Sequence, residues 1–124
     1  MMFTIPYPKT KAGMKQFCKT YGMNSIYAGK HWSKRKEDAE YIHNSVRYSL
    51  MKQGIRCKLF ESPVAITFYW DDNLDIDNHA YLGKLIVDGM KGYLIQDDDR
   101  RFVKEVRHKF YDGDCITVQI EVFQ

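Results

Sequence analysis

Between Asp71 and Asp99 the chain reads DDNLDIDNHAYLGKLIVDGMKGYLIQDDD, and eight of its eleven aspartates fall in that segment. Like charges repel, so a fold that gathers them needs a compensating cation. Carboxylate oxygens are the natural ligands of hard divalent ions such as Mg²⁺. The segment therefore points to a metal site and, through the metal, to phosphate chemistry. Asp75 and Asp77 stand two apart. In extended backbone such residues point to one side, so both carboxylates would face one ion at the exit of the preceding strand. Asn78 then starts a helix, with Asp77 as its N-cap. Asp97, Asp98 and Asp99 follow the apolar pair Leu94-Ile95. Three adjacent carboxylates mark either a cation site or a solvated turn neutralised by Arg100 and Arg101.

Asp77, Lys84 and Asp88 are offset so that, at 3.6 residues per turn, they lie nearly on one line of a helix. On its own, the Lys84–Asp88 i,i+4 pair reads as a surface ion pair worth a few tenths of a kcal/mol. Beside a bound phosphate, the same lysine would neutralise developing charge. Asp71, Asn73 and Asp75 match the first ligand positions of an EF-hand loop, but Ile76 replaces its glycine and Leu82 its bidentate glutamate, which excludes that loop. His31, His43, His79 and His108 are scattered, and there is no G-x-S-x-G elbow or phosphate-binding G-x-x-x-x-G-K-[ST] loop. Cys18, Cys57 and Cys115 form no C-x-x-C pair, so neither zinc nor a disulfide framework is indicated.

The segment Asn24–Lys36, NSIYAGKHWSKRK, mixes cations with aromatics. Lys34, Arg35 and Lys36 fall in the first turn of a helix, where cations oppose the dipole. Their placement makes sense if a phosphate binds there. Lys30, His31, Trp32, Lys34, Arg35 and Lys36 are thus candidate DNA contacts. Trp32 would stack on an unpaired base or cap the core; Tyr27 reads as a core residue. Residues 1–62 carry 12 Lys/Arg against 4 Asp/Glu, and residues 63–124 carry 7 against 12, for a net charge of +3. A basic half beside an acidic cluster suits a polyanion surface around a metal centre, though uneven charge also occurs as plain solvated surface.

The elements that must position these groups follow from pattern. The length of 124 residues fits one domain spanning 1–124. Phe3–Tyr7 reads as a strand. Residues 10–30 read as mostly loop, with a short strand at Asn24–Tyr27. A helix is predicted from Ser33 to Gln53, its stripe Ala39, Ile42, Val46 and Leu50, with Ser33 as N-cap and Gly54 as stop. VAITFYW, Val64–Trp70, is a buried strand. A second helix runs from Asn78 to about Met90, with Leu82, Leu85, Ile86 and Gly89 on one face. Asp97–Val103 is a turn or short helix. Val103–Tyr111 and Cys115–Phe123 flank Asp112-Gly113-Asp114 and read as a hairpin. The sum is a single small α/β (α+β) domain, a mixed sheet packed by about two main helices. No apolar run approaches a membrane span and no secretory leader is evident, so a reducing cytoplasm is the expected compartment.

The runs D-I-D-N at Asp75–Asn78, K-x-x-x-D at Lys84–Asp88 and L-I-Q-D-D at Leu94–Asp98 together resemble the RusA-type Holliday-junction resolvases, small endodeoxyribonucleases common in bacteriophages and prophages. The segment Asn24–Lys36 also resembles phage members. The resemblance implies a RusA-like α/β homodimer that binds four-way DNA junctions and nicks them with Mg²⁺ or Mn²⁺. By position it implies Asp75, Asp77 and Asp98 as metal ligands and Lys84 as the assisting lysine. The stretch from Asp77 to Asp88 is three residues longer than in the best-known members, and one added helical turn restores the face of Lys84. Two other readings compete: a non-catalytic branched-DNA-binding module with a structural acidic site, and a metal-binding regulator without DNA affinity.

Overall fold

A computed structural model describes all 124 residues. Four strands, β1 (Met2–Pro6), β2 (Val64–Trp70), β3 (Val103–Phe110) and β4 (Cys115–Val122), form one mixed sheet in the order β1-β4-β2-β3. The helices are α1 (Lys11–Tyr21), α2 (Met23–Tyr27), α3 (Trp32–Lys52) and α4 (Ala80–Met90), with a 3₁₀ turn at Ile76–His79 before α4. The α+β reading with a small mixed sheet holds, with two further helices.

β2 takes the centre because nearly every residue of VAITFYW is buried. Apolar side chains on both faces leave such a strand no solvent side. β3 and β4 flank it, β3 parallel and β4 antiparallel. The expected hairpin is therefore absent. β3, VKEVRHKF, carries Glu105, Arg107 and Lys109 on one face and is mostly exposed, so it belongs at an edge, and the chain steps over the end of β2 before returning as β4. Tyr111 N donates to Trp70 O (3.0 Å) and Asp114 N to Asp71 Oδ2 (3.0 Å) along that crossing. Asp114 adopts φ 60°, a left-handed conformation that Asp tolerates.

Helices cover one face of the sheet. Phe3, Ile5, Ile66, Phe68, Trp70, Ile116, Val118 and Ile120 point into that layer and meet Ile42, Val46, Leu50, Leu82 and Ile86. The opposite face carries polar rows such as Thr4–Thr117–Tyr69–Lys109. The segment read as loop forms α1 instead. Thr10 Oγ1 accepts from Gly13 N (2.9 Å) as its N-cap, and Met14, Phe17 and Tyr21 face the core at helical spacing. Asn24–Tyr27 is helical, not a strand. α3 begins one residue early, and the His31 ring, not Ser33, caps it by accepting from Ser33 N (3.1 Å).

α3 and α4 cross at Gly89, where a Cβ would stand 3.0 Å from Val46 Cβ. Arg47 closes the end of α4, donating from Nε to Gly89 O (2.8 Å) and also to Lys91 O. A cation at a helix C-terminus is favourable. Gly89→Ala is expected to lower unfolding free energy by about 1–3 kcal/mol through overpacking. Val46→Ala in the same chain should recover most of that loss, read as a coupling in denaturant titrations.

Candidate active site

β2 ends at Trp70, and the chain leaves it through residues 71–79 toward α4. That loop is fastened from inside. The Asp72 and His79 side chains are fully buried, with His79 Nε2 at 2.8 and 2.9 Å from the two Asp72 oxygens. Tyr7 Oη donates to Asp72 Oδ2 (2.8 Å) and Leu74 N to Asp72 Oδ1 (3.0 Å). His79 Nδ1 faces Ile76 O at 3.1 Å. Both ring nitrogens thus face oxygen atoms of the loop. Burial, with the Asp72 charge adding to it, pushes the Tyr7 phenol above its ordinary range, although the Asp71 N–H opposes the shift.

The eight aspartates of the acidic segment separate cleanly by partner. Asp71 accepts from Asp114 N, and Asp72 is held by His79. The Lys91 ammonium lies 3.1 Å from Asp88, 3.7 Å from Asp97 and 3.2 Å from Asp98. Burial alone would lower the Lys91 pKa, but the bonds to Asp88 and Asp98 outweigh it and hold it above the ordinary value. Asp99 is gripped by Arg101 through Nε (3.0 Å) and Nη2 (2.8 Å), which holds its carboxyl at about 2. Only Asp75 and Asp77 have exposed side chains with neither a hydrogen-bond nor an ion-pair partner.

The backbone under these two differs from the extended reading. Asp75 is extended (φ −62°, ψ 153°), but the 3₁₀ turn starts at Ile76 and includes Asp77. Asp77 is therefore not an N-cap, and the same-side argument for residues two apart does not apply. Asp98 is at the far end of α4. The 11 residues from Asp77 to Asp88 span about 16 Å at helical rise, and Lys91 joins Asp88 to Asp98. No group of three or more His, Cys, Asp or Glu side chains is arranged to hold a metal ion. Within one chain Asp75, Asp77 and Asp98 do not fit a single ion. Lys84 is exposed, 3.5 Å from Asp88.

The basic segment reaches the same end of the molecule as Asp75 and Asp77. α2 packs on the 3₁₀ turn, and the position of Gly22 brings Leu74 and Asn78 within 3.3 Å of its side-chain direction. Lys34, Arg35, Lys36 and His31 are exposed, as is Trp32 at 64%. The His31 ring lies tilted against Trp32, with centroids 5.6 Å apart. Tyr27 is 81% exposed, so it is a surface residue and not part of the core. Lys30 has a different role from the expected surface contact. Its side chain is buried in an ion pair with Asp38, donates to Thr20 O (2.8 Å), and Asp38 also accepts from Tyr81 Oη (2.7 Å). This links α1, α3 and α4 beneath the exposed cations.

Sequence reasoning missed the Asp72–His79 pair and Lys91. Lys91 carried a signal, since it stands three residues after Asp88, just past the predicted end of the helix. The partnership of Asp72 with His79 had none, because a seven-residue loop gives no fixed spacing.

A comparison with protein-family models and one with curated proteins each return no match. No helix is long and apolar enough to cross a membrane.

His79→Ala leaves the Asp72 carboxylate buried without its main partner, and unfolding free energy should fall by about 3–5 kcal/mol in denaturant titrations. His108 gives a pH signature. Burial, followed by the charge on His79, lowers its pKa, and its Nδ1 accepts from Trp70 Nε1 (3.0 Å). The unfolded chain then takes the proton more readily. Stability from this group is full above the unfolded value near 6.5 and is lost as pH falls toward the lower folded value. His108→Phe should flatten that acid slope, which reaches at most about 1.4 kcal/mol per pH unit for one proton.

Proposed function

We propose that this chain is a metal-dependent, structure-selective endodeoxyribonuclease that cleaves four-way (Holliday) junction or branched DNA as a homodimer in the cytoplasm. One observation carries the reading: of eight clustered aspartates, only Asp75 and Asp77 lack a protein partner. They stand on an internally fastened loop beside the exposed cations and aromatics that open α3. Two exposed carboxylates kept bare, two residues apart in one loop, suit a cation brought by solvent, Mg²⁺ or Mn²⁺. An adjoining basic surface suits the phosphates flanking a cut.

A third carboxylate is missing from each chain's own site, because Asp98 stands about one α4 length away. A two-fold axis that sets two α4 helices antiparallel would bring Asp98 of a second copy to Asp75 and Asp77. A symmetric junction also presents two strands related by a two-fold. In this reading Asp75, Asp77 and Asp98 bind the metal, which when bound stabilises charge on the phosphate. Lys84, exposed in the middle of α4, would assist at the scissile phosphate. His31, Trp32, Lys34, Arg35 and Lys36 hold DNA, and Lys30 supports them from below.

The alternative is a non-catalytic branched-DNA-binding module. The Lys91 bridge favours it, since an ammonium already neutralises Asp98.

Cleavage of an end-labelled four-way junction in Mg²⁺, beside a linear duplex of the same sequence, separates the two. Asp75→Asn and Asp77→Asn should each lower junction nicking by about two orders of magnitude or more, the scale of losing one stabilising group. Binding should persist in both. Arg35→Ala with Lys36→Ala should weaken binding and reduce its salt slope by about 2, one for each phosphate no longer neutralised. Binding by wild type with no nicking in either metal would select the binding module.

A further inference from the structure

Between β1, α1 and α3 lies a cavity of about 640 Å³ that neither the carboxylate loop nor the exposed cations of α3 use. Its size is that of a small-molecule site. The buried side chains of Ile5, Ile42, Leu82, Ile86 and Ile116 form its floor. Tyr7 and Phe17, edge to face at 5.7 Å, bound one end. Tyr41 and Tyr48 are exposed and stand at the rim, so the cavity opens to solvent.

Polar groups gather at the other end. Gln53 accepts from Thr4 N (2.9 Å) and donates to Thr4 O (2.7 Å), which ties the end of α3 to the middle of β1. Ser49 and Lys52 line the cavity there, three residues apart on one face of α3. Ser49 is only 4% exposed, yet its hydroxyl makes no hydrogen bond, whereas that of Ser45, one turn earlier, donates to Tyr41 O (2.9 Å). A buried hydroxyl without a partner carries a free-energy cost that a ligand accepting from it would relieve. Lys52 is the one charged side chain of the lining. Its ammonium has no carboxylate partner and lies 5.8 Å from the centre of the Tyr48 ring. The dipole of α3 favours a cation in this last turn, but it gives no account of the open hydroxyl beside it.

We propose that this cavity binds a fatty-acid-like carboxylate, its alkyl chain on the apolar floor and its head at Ser49 and Lys52. The Ser49 hydroxyl donates to one carboxylate oxygen, and the Lys52 ammonium pairs with the charge. The lining selects against an amine of the same shape, because it holds a cation and no carboxylate. It also selects against a nucleobase. A base carries several donors and acceptors on its edges, each costly to bury without a partner, and the floor of Ile and Leu offers none. The site goes beyond the nuclease reading and does not depend on it. The two meet at Tyr7, whose ring lines the cavity while its hydroxyl holds Asp72 (2.8 Å).

Isothermal titration calorimetry of the full chain with sodium decanoate tests this, beside decylamine, decanol and thymidine monophosphate. Decanoate should bind one per chain. Decylamine should bind about tenfold more weakly or worse, since its head meets a like charge in place of an opposite one. Ser49→Ala should weaken decanoate by about tenfold, the scale of a lost hydrogen bond to a charged group. Lys52→Glu should reverse the order of decanoate and decylamine and leave decanol as in wild type. A folding defect would weaken all three together and cannot imitate that reversal. No binding of decanoate, equal binding of decanoate and decylamine, or an order unchanged by Lys52→Glu overturns the proposal. Binding of thymidine monophosphate without decanoate also overturns it and assigns the cavity to DNA.

Discussion

β2 must be covered on every side, and the rest of the molecule follows from that. A strand of Val, Ala, Ile, Thr, Phe, Tyr and Trp is buried along nearly its whole length. It needs a strand on each side, which β3 and β4 supply, and a helical layer over Ile66, Phe68 and Trp70, which α3 and α4 supply. Once β2 is central, its carboxyl end becomes the one place where a loop leaves the middle of the sheet beneath the start of α4. Ends of this kind are where α/β folds gather binding groups. The loop of residues 71–79 stands there, and so do Asp75 and Asp77.

The charge pattern is a consequence of the same packing. A run rich in aspartate would destabilise the fold if its carboxylates remained close and unmatched. The fold disperses them: Asp72 inward to His79, Asp88, Asp97 and Asp98 around Lys91, Asp99 onto Arg101. The three contiguous aspartates do different work. Asp99 is committed to its own arginine, whereas Asp98 shares the Lys91 ammonium with Asp88 and Asp97. This division leaves Asp75 and Asp77 as the two aspartates of the segment without a protein partner.

Local pattern makes much of this legible. The alternation of Ile116, Val118 and Ile120, the stripe of Ile42, Val46 and Leu50, and the apolar run of β2 each specify an element through their own neighbours. α1 is also written there, in Met14, Phe17 and Tyr21, but Gly13 and the interspersed lysines dilute it. Pairing is not legible. Asp112-Gly113-Asp114 has the composition of a hairpin turn, and nothing within β3 or β4 says that β2 will come between them. That outcome depends on the greater apolar burial of a distant strand. Lys30 and Tyr27 exchange the roles that composition suggests, for a related reason. The partner that buries Lys30 is Asp38, and its position follows from helix packing and not from spacing.

The Asp72–His79 pair connects stability with the candidate chemistry. Two bare carboxylates repel, and on a slack loop they would swing apart and lose any shared geometry. The loop is held from beneath by the buried Asp72–His79 contact, the Tyr7 hydroxyl, and the stacking of His79 on Trp70 at 4.5 Å. Desolvating such a pair is costly, and an apolar pair of similar volume often serves stability as well or better. Fold stability alone therefore gives little reason to build it. A requirement for a fixed loop does, because a hydrogen-bonded carboxylate and imidazole define one orientation where apolar packing would permit several. The buried pair and the bare pair are then two halves of one arrangement: the first fixes the backbone so that the second stays in place while uncompensated.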